Sequence, residues 1–414
     1  MYYTLHAMNA QNYGFIYNEL IVDPSRNRII KRTRRSLVDG ASSASATAIQ
    51  QRKDGERKLR KEIQFYLCIQ AYNRIPSPFV MPRFYATPAA LSSSATPELH
   101  IQYFADYEPL TERFPYNGEG SITVIREILD HLRPLHTHSP HIPITEDEYK
   151  HALRVEVYDK IVERYSTVNW KNIYPEFERL NHVNGLKVRS FDEYATIIRE
   201  RVGGPPGVPP PNGGSFALLA GFVAGDTMDP PLGGGHPRRS FTYIHGDTHL
   251  GNILVPKPGV CIDSNTPRYV FIDPRGYFAS YDVFGEPHYD YAKLLFGISG
   301  YSRFDQMTID RCDVHEIATK GGALTNGISG LPEMANGISG LPEMEINIPF
   351  IDEYSSIYKS LDTPEWQSSV PELTAGLTRL LSLSIWLGNN STFISPEKKL
   401  MSLMISRYLC ERFL

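Results

Sequence analysis

Three polar residues near the middle of the chain have the types and spacing that phosphoryl transfer requires. Asp247 is followed five residues later by Asn252, and Asp273 comes after two further apolar runs. Transfer of a phosphoryl group from a nucleotide needs a carboxylate beside the attacking hydroxyl, and hard oxygen ligands for the Mg²⁺ that bridges the phosphates. Asp247 is therefore the candidate catalytic base, and Asn252 and Asp273 are the candidate metal ligands and nucleotide contacts.

The apolar runs between these residues predict a β-hairpin that brings the two metal ligands together. Residues 253–255 and 269–272 are the predicted strands, and a polar loop joins them. Because Asn252 stands directly before the first strand and Asp273 directly after the second, an antiparallel pairing places the two side chains side by side.

The sequence strings around these residues resemble those of a known kinase superfamily. HGDTHLGN begins at His245, and FIDPRG contains Asp273. Together they look like the catalytic and metal-binding motifs of the aminoglycoside phosphotransferase and choline kinase superfamily, and IDPRGYF is similar to a branch of small-molecule kinases found in bacterial surface-polysaccharide contexts. The resemblance implies an α+β, bilobal protein-kinase-like fold, with a small antiparallel-sheet N-terminal lobe and a larger, mostly helical C-terminal lobe.

The resemblance also implies roles for residues around the catalytic motifs. His245 is expected to belong to the catalytic set by ordering the loop through hydrogen bonds, without being the base itself. Asp290 falls at the position that hydrogen-bonds the catalytic-loop backbone in kinase-like folds, so it is expected to support the loop. Arg275 is expected to contact a phosphate or the acceptor, or to form a salt bridge inside the loop. Glu286 stands where this branch usually has Asp.

A lysine on an upstream strand, paired with a glutamate on the next helix, is a further implication of the resemblance. Lys31 ends the short run Arg-Ile-Ile-Lys and is the best candidate to hold the α- and β-phosphates. Glu62 shares a helix face with Leu59 and Tyr66, so it is expected to point inward, where a carboxylate requires a cation. Arg32 and Glu56 are the alternative residues for these roles, and an exposed charge at the edge of an element is the alternative interpretation of both Lys31 and Glu62.

The nucleotide base and the phosphates require further contacts. Tyr103 and Phe104, at the end of a strand predicted at 99–104, match the hinge whose backbone binds adenine; packing of the two rings inside the lobe is the alternative. No GxGxxG precedes Lys31, and only the tripeptide NYG at 12–14 lies near the first strand. The residues that cover the phosphates are therefore not assigned.

Patterning along the chain predicts two parts. Residues 1–105 are the expected nucleotide-binding lobe, which includes a β-hairpin within 13–33, and 106–414 are the expected catalytic and acceptor-binding lobe. Within the first part, residues 36–55 are rich in Ser, Ala and Gly without periodicity and are predicted to form a flexible insertion, with helical patterning over 56–73.

Gly/Pro-rich sequence interrupts the second part twice. Ten of the twelve residues 203–214 are Gly or Pro, and the bias continues to 235, so the stretch 203–235 buries too little apolar area to offset the entropy of ordering it. The second insertion, 321–344, contains an exact tandem repeat of NGISGLPEM, which we interpret as a duplicated surface loop. Helices are predicted around these insertions at 122–138, 146–166, 352–361, 372–388 and 396–413.

Composition excludes several classes of partner. The chain has 414 residues and a formal net charge of -4, without the basic stripe of nucleic-acid-binding proteins. Its longest uncharged apolar stretches fall well short of the ~18 residues that span a membrane, so membrane insertion is not expected. The start of the chain does not resemble a signal peptide, and the four cysteines have no CxxC spacing. We expect a cytoplasmic protein with reduced thiols and no zinc.

The expected activity is transfer of the γ-phosphate of ATP, or of another nucleoside triphosphate, with Mg²⁺, to a hydroxyl of a small molecule such as a sugar, polyol or amino alcohol. A nucleotide-binding pseudokinase or scaffold is the alternative, suggested by the missing glycine loop. A protein kinase is disfavoured because the motif is HGD in place of HRD and neither DFG nor APE is present.

Two groups of residues are candidates for contact with the acceptor. An acidic group in the helix predicted at 146–166 is either a site for a cationic amine or a solvated helix face, and an aromatic group after Asp273 is a candidate for stacking on a sugar ring or a quaternary amine. The acidic group is Glu146, Asp147, Glu148 and Glu156, and the aromatic group is Tyr277, Phe278 and Tyr281.

Overall fold

A computed structural model of the chain describes ten segments. They are residues 18–33, 46–87, 96–116, 119–203, 239–264, 266–307, 313–316, 343–348, 350–393 and 395–414. Outside them lie the NYG tripeptide, residues 36–45, the Gly/Pro-rich stretch after Gly203 and all but the last two residues of the tandem repeats.

The described segments contain fifteen strands and thirteen α-helices. The strands are β1 (Asn18–Asp23), β2 (Arg28–Thr33), β3 (Glu98–Gln102), β4 (Tyr107–Pro109), β5 (Ile142–Ile144), β6 (Leu180–Val183), β7 (Leu186–Lys187), β8 (Arg239–Tyr243), β9 (Ile253–Pro256), β10 (Val270–Phe271), β11 (Tyr277–Phe278), β12 (Tyr281–Asp282), β13 (Phe284–Gly285), β14 (Asp313–Glu316) and β15 (Met344–Asn347). The helices are α1 (Ala46–Tyr72), α2 (Glu119–Thr137), α3 (Glu146–Leu153), α4 (Lys160–Ser166), α5 (Trp170–Ile173), α6 (Phe191–Val202), α7 (Pro287–Phe296), α8 (Ser302–Gln306), α9 (Ile351–Ser360), α10 (Pro364–Ser369), α11 (Pro371–Thr374), α12 (Gly376–Asn389) and α13 (Pro396–Phe413). Two π-helical turns, Arg154–Asp159 and Gly297–Tyr301, continue α3 into α4 and α7 into α8.

A three-stranded antiparallel sheet in the order β1-β2-β3 carries Lys31 on its central strand. The predicted hairpin is confirmed, because β1 and β2 pair from Asn18 opposite Thr33 to Asp23 opposite Arg28. The turn between them is a short helical turn in which the Asp23 side chain accepts a hydrogen bond from the Arg26 amide. Both neighbours of β2 are paired with it, so the backbone at Lys31 is held from two sides.

Helix α1 begins at Ala46, ten residues before the predicted start. Residues 46–55 are therefore helical, and their assignment to a flexible insertion is wrong. Ala, Gln, Arg and Lys predominate in this stretch and are strong helix formers, which outweighs the absence of an apolar stripe. An ion pair of 2.8 Å between Arg52 Nε and Glu56 Oε1, one turn apart, adds support.

Two hydrophobic cores are present in the described residues, and α1 contributes to both. The smaller core packs α1 against the sheet, and the larger core fills the space between the helices of the second part. Phe65 of α1 lies in the larger core, whereas Leu59 and Ile63 lie in the smaller one. The helix that carries Glu62 is therefore packed between the sheet and the helical part.

The second part contains more β-structure than the mainly helical pattern predicted. Its sheets have the orders β10-β9-β4, β13-β8-β5, β14-β15-β6-β7 and β11-β12. Most of these strands have only two to four residues, too few for alternation of apolar residues to show in the sequence. The hairpin expected around the metal ligands is confirmed as β9 and β10, with Phe271 opposite Ile253.

The long helices lie close to their predicted positions. The clearest agreement is α13, whose bounds match the predicted 396–413, and α2 begins three residues before the prediction. No helix within the described segments is both long enough and apolar enough to cross a membrane. Cys68, Cys261 and Cys410 are free thiols in the structure.

Candidate active site

Asp290 holds the loop between β8 and β9 in place. It lies in the first turn of α7 and is fully buried. Its carboxylate accepts hydrogen bonds from the backbone amides of His245 at 2.8 Å and Gly246 at 2.6 Å. Gly246 has φ +79°, a conformation that side chains with a Cβ rarely adopt. The hydroxyl of Thr248 also donates to the Asp290 carbonyl. These bonds hold the backbone on both sides of Asp247.

Two buried histidines complete this support. His136 Nε2 lies 2.9 Å from the Asp290 carboxylate, and its Nδ1 lies 2.9 Å from the Tyr291 hydroxyl. The His245 ring packs edge-on against two phenylalanines, and its Nδ1 accepts a hydrogen bond from the Asp247 amide at 3.3 Å. Burial lowers the pKa of His245. His245 lies beneath the loop and is not among the described residues that line the cavity above it.

Asp247 lies at the cavity surface with three polar neighbours. Its Oδ1 is 3.0 Å from Lys293 Nζ, and its Oδ2 accepts a hydrogen bond of 3.3 Å from Asn252 Nδ2. Burial alone would raise the pKa of the Asp247 carboxyl, but the charges of Lys293 and His249 outweigh burial and hold that pKa well below its usual range. Asp247 is therefore an ionised carboxylate with a fixed orientation.

Lys293 is the functional residue in this group that the sequence reasoning missed. It lies on α7, three residues after Asp290, so both side chains lie on the face of the helix that meets the catalytic loop. Its side chain is only 15% exposed, which a solvated surface lysine would not be. The string DYAKLL contained a signal for this position. Lys293 stands three residues after Asp290, so the two side chains point to the same side of the helix.

Lys31 lies between two carboxylates. Its Nζ is 2.7 Å from Glu62 Oε2 and also contacts Asp273 Oδ1. Burial would lower the pKa of Lys31, but the charges of Asp273 and Glu62 outweigh it, so the pKa is raised and the ammonium stays charged. The expected pairing of Lys31 with Glu62 is confirmed, and the structure adds Asp273 to it.

Asn252 and Asp273 meet the requirements of a two-residue Mg²⁺ site. The Asn252 amide nitrogen donates to Asp247, which leaves its Oδ1 for a cation, and the Asp273 side chain is 45% exposed. A backbone hydrogen bond of 2.9 Å from the Ile272 amide to the Asn252 carbonyl ties the two positions together. No group of three or more His, Cys, Asp or Glu in the described segments is placed to hold a metal. Mg²⁺ commonly takes one or two protein oxygens and fills its other positions with phosphates and waters, so this pair fits it.

A cavity of about 440 Å³ connects these groups to the segment after β3. Tyr103 and Phe104 line it, but they follow the strand, which ends at Gln102 and not at 104. The Tyr103 amide donates to the Asn27 carbonyl at 3.1 Å, and the Phe104 carbonyl accepts from the Tyr107 amide at 3.2 Å. Among the described residues, the Tyr103 carbonyl and the Phe104 amide have no hydrogen-bond partner, which leaves one acceptor and one donor for a ligand.

Another part of the cavity lining is built around Glu156, a buried residue in the π-helical turn after α3. Arg275 grips it with both guanidinium nitrogens, one of them 2.8 Å from Oε2. Lys160 Nζ lies 2.8 Å and the Tyr289 hydroxyl 2.9 Å from Glu156 Oε1. Arg275 therefore pairs with a distant helical element, and the salt bridge expected inside its own loop is not formed in the described structure.

The other candidates for acceptor contact lie mostly elsewhere. Glu146, Asp147 and Glu148 form the first turn of α3, where Glu148 completes a capping box with Thr145, and none of the three lines the cavity. Of the acidic group, the structure places only Glu156 at the cavity. Of the aromatic group, Tyr277 lines it, Phe278 is fully buried in the larger core, and Tyr281 is outside the lining.

Gly276, just after the metal-binding loop, touches the backbone of α1. Its φ is +70°, and a Cβ at this position would lie 2.5 Å from the Lys61 carbonyl oxygen, next to Glu62. We expect Gly276→Ala to reduce the free energy of unfolding by about 2–4 kcal/mol, from backbone strain plus a clash that neither backbone can relieve cheaply.

Urea unfolding measures this loss, and Gly259→Ala is the matched control. Gly259 also has a positive φ, +84°, but nothing lies within 4 Å of its Cβ position, so only the strain, about 1 kcal/mol, is expected. Equal losses in the two variants would contradict a tight contact between the loop and α1.

Comparisons with solved structures give low-identity matches that include two glucosamine kinase structures. No protein-family model and no curated protein matches the sequence. Among solved structures, the chain is similar to a glucosamine kinase in complex with glucosamine, ADP and inorganic phosphate, with 11% identity, a TM-score of 0.39, and coverage of 84% of this chain and 70% of that chain. A glucosamine kinase in crystal form A matches with 10% identity, a TM-score of 0.40, and coverage of 95% of this chain and 73% of that chain.

Proposed function

We propose that this protein is a small-molecule kinase with a bilobal protein-kinase-like fold, which transfers the γ-phosphoryl group of ATP or another nucleoside triphosphate to a hydroxyl. The observation that carries the proposal is the set of side chains that line one cavity. It brings together the Lys31–Glu62 ion pair, the oxygen donors of Asn252 and Asp273, and the ionised carboxylate of Asp247. These are the parts that phosphoryl transfer requires, and they come from four separate stretches of the chain.

Asp247 acts on the acceptor. Its carboxylate accepts a hydrogen bond from the acceptor hydroxyl, and the Asn252 amide fixes its orientation. The hydroxyl oxygen forms the new bond to the γ-phosphorus, the bond from that phosphorus to the β-phosphate bridging oxygen breaks, and ADP leaves with the electron pair. The hydroxyl proton passes to Asp247. Because the donors are already in place, positioning and charge stabilisation supply most of the rate enhancement.

Lys31 and the segment after β3 act on the nucleotide. Lys31, oriented by Glu62, neutralises charge on the α- and β-phosphates, and the free backbone groups of Tyr103 and Phe104 bind the base edge. Mg²⁺, held by Asn252 and Asp273 when bound, would supply further neutralisation of phosphate charge. Asp247 is ionised beside Lys293 before the acceptor reacts, so its carboxylate is free to take the hydroxyl proton.

Nucleotide titration followed by a turnover assay tests the proposal. We expect an ATP analogue to bind in the presence of Mg²⁺, and ADP release from ATP to depend on one or more members of a panel of sugars, polyols, amino alcohols and their acidic derivatives. Binding without any acceptor-dependent turnover would support the pseudokinase alternative instead. Absence of nucleotide binding would reject both.

Replacing Lys293 tests whether this residue acts as the charge partner of Asp247 or only packs beside it. In Lys293→Met, burial is no longer opposed by the ammonium, so the pKa of Asp247 rises. Asp247 then takes up a proton within the assayed range, and the acid limb of the kcat/KM profile moves to higher pH. At neutral pH we expect kcat to fall by about 10²-fold, the size of effect seen when one preorganised charge or donor is lost.

Profiles of kcat/KM between pH 5 and pH 9 measure this shift. Lys293→Arg keeps the charge and is the matched control, for which the acid limb should stay where it is in the parent protein. Superimposable profiles for Lys293→Met and the parent would show that Lys293 does not set the protonation of Asp247.

A further inference from the structure

One wall of the cavity carries a concentration of positive charge. Glu156, Lys160 and Arg164 follow one another at intervals of four residues through the π-helical turn and α4, so they share a face of this helical run. All three line the cavity, and Arg275 lines it from the loop opposite. One negative residue and three positive residues therefore belong to this part of the lining, and Glu156 bonds directly to Lys160 and Arg275.

The charges that line the cavity do not cancel. Among the described lining residues there are six Lys or Arg and four Asp or Glu. The six are Lys31, Lys58, Lys160, Arg164, Arg275 and Lys293, and the four are Glu62, Glu156, Asp247 and Asp273. Lys31 is shared by two carboxylates and Lys293 is paired with Asp247, so the excess of positive charge lies outside these pairs, mainly around Glu156.

Glu156 has no capacity left for a cationic ligand. Its two oxygens already receive Arg275, Lys160, the Tyr289 hydroxyl and the Ala279 amide. It serves as the internal counterion of Arg275 and Lys160. A cationic amine would be repelled by Lys160 and Arg275, which already occupy the Glu156 carboxylate. The wall therefore disfavours binding of an amino group, the first interpretation given for the acidic residues of this helix.

Arg164 is the cation that Glu156 does not neutralise. The hydrogen bond that the structure gives its guanidinium is to the Gly388 carbonyl, at 3.2 Å, and a carbonyl carries no net charge. A guanidinium has five N–H donors, so this bond leaves others for a ligand. Burial and the charges of Arg275 and Arg164 lower the pKa of Lys160, the expected sign where like charges crowd together. An anion bound at this wall would relieve that crowding.

We propose that the acceptor is an anionic hydroxyl compound, such as a sugar phosphate or a sugar acid, whose anionic group binds Arg164 and Lys160 while its hydroxyl lies at Asp247. This inference rests on the proposed kinase function and narrows its substrate class. Arginine and lysine together suit a phosphate or carboxylate. The planar guanidinium of arginine supplies paired N–H donors, and the ammonium of lysine supplies a compact positive charge. The nucleotide phosphates belong at the other side of Asp247, beside Lys31 and Asp273.

Turnover of four related acceptors tests the substrate class. A hexose, its 2-amino derivative, its uronic acid and its 6-phosphate differ mainly in charge. We expect kcat/KM to be at least about tenfold higher for the uronic acid or the 6-phosphate than for the other two, as a charge-assisted hydrogen bond provides. The ratio between these two acidic compounds identifies carboxylate or phosphate as the preferred anion. A preference for the neutral or amino compound would overturn the inference and leave the kinase proposal standing.

Arg164→Gln tests the wall itself, because it removes the charge and leaves a shorter polar side chain. We expect KM for the acidic acceptor to rise by about 10–100-fold, kcat to change by less than about threefold, and affinity for the ATP analogue with Mg²⁺ to stay the same. Arg154→Gln is the matched control, because Arg154 lies on the same helical run outside the cavity lining. Loss of nucleotide affinity in Arg164→Gln alone would assign the wall to ATP and overturn the inference.

A binding measurement keeps the inference testable if none of the four compounds is phosphorylated. With the ATP analogue and Mg²⁺ bound, hexose 6-phosphate and the uronic acid should raise the melting temperature of the parent protein, and the neutral hexose should not. Arg164→Gln should abolish the increase and Arg154→Gln should preserve it. If neither acid stabilises the parent protein, the inference fails whatever the outcome of the turnover assay.

Discussion

Asp247→Asn is expected to lower the acceptor-dependent kcat by about 10²–10⁴-fold, the usual contribution of a general base. The substituted amide has nearly the same shape, so the catalytic loop should keep the bonds that Asp290 makes to it. An amide cannot take the hydroxyl proton, and it leaves Lys293 without its 3.0 Å carboxylate partner. Affinity for the ATP analogue should not decrease, because replacing Asp247 by Asn removes a negative charge from the site.

Steady-state kinetics and calorimetric titration measure the two effects separately. Asp130→Asn is the matched control, since Asp130 is an exposed residue on α2 that pairs with Arg133 away from the cavity. It should behave like the parent protein in both measurements. Normal turnover in Asp247→Asn would show that Asp247 is not the catalytic base. The assignment of HGDTHLGN as the catalytic motif would then fail as well.

Lys31→Met is expected to reduce kcat/KM for ATP by about 10²–10³-fold, because a preorganised charge at the phosphates is lost. It should also destabilise the fold at alkaline pH, since Glu62 keeps its buried position and its charge then has no partner. Burial raises the pKa of Glu62, and Lys31 is the charge that opposes this. In the variant that pKa is raised further.

The pH dependence of this loss follows from the sign of the shift. A carboxyl whose folded-state pKa lies above its unfolded value is protonated at little cost at low pH, and its contribution to stability is lost as pH rises through the folded-state pKa. The deficit of Lys31→Met relative to the parent protein should therefore be small at pH 6 and grow from about pH 8 upward, because the pKa of Glu62 in the parent protein is about 8; urea unfolding between pH 6 and pH 9 measures it.

The double variant Lys31→Met/Glu62→Gln separates stability from activity. Removing the second charge should restore much of the unfolding free energy at pH 9, since no unpaired charge stays buried. It should not restore turnover. A deficit that is independent of pH, or activity recovered in the double variant, would contradict the role assigned to the pair.

Local sequence patterns predicted the parts of the site that short segments build. The β9–β10 hairpin brings Asn252 and Asp273 together because its apolar runs and polar loop mark a hairpin without any knowledge of the rest of the chain. The pairing of Lys31 with Glu62 was implied by the resemblance to a kinase superfamily, and the apolar helix face that carries Glu62 supported it, because a buried carboxylate requires a cation.

Contacts between distant elements were beyond sequence patterns. Arg275 was expected to contact a phosphate or the acceptor, or to form a salt bridge inside its loop, but its partner Glu156 lies 119 residues earlier in the chain. The acidic group that includes Glu156 was interpreted as either an amine site or a solvated helix face. Lys160 and Arg164 have the same spacing as exposed helix charges and differ only in what packs opposite them. The start of α1 at Ala46 was missed because its first turns are polar and show no apolar stripe.

The connection between the small sheet and the helical part is anchored on both sides over a very short length. The Tyr103 amide bonds to Asn27 on the sheet side, and on the other side Lys257, just after β9, donates its amide to the Asp106 carbonyl at 2.8 Å and its ammonium to the Ala105 carbonyl at 2.7 Å. Any swing of the sheet over a bound nucleotide must therefore be absorbed between Tyr103 and Ala105. Since this pivot lies in the cavity wall, the nucleotide base would rest against the point of least displacement, while the phosphates would follow the larger arc traced by Lys31.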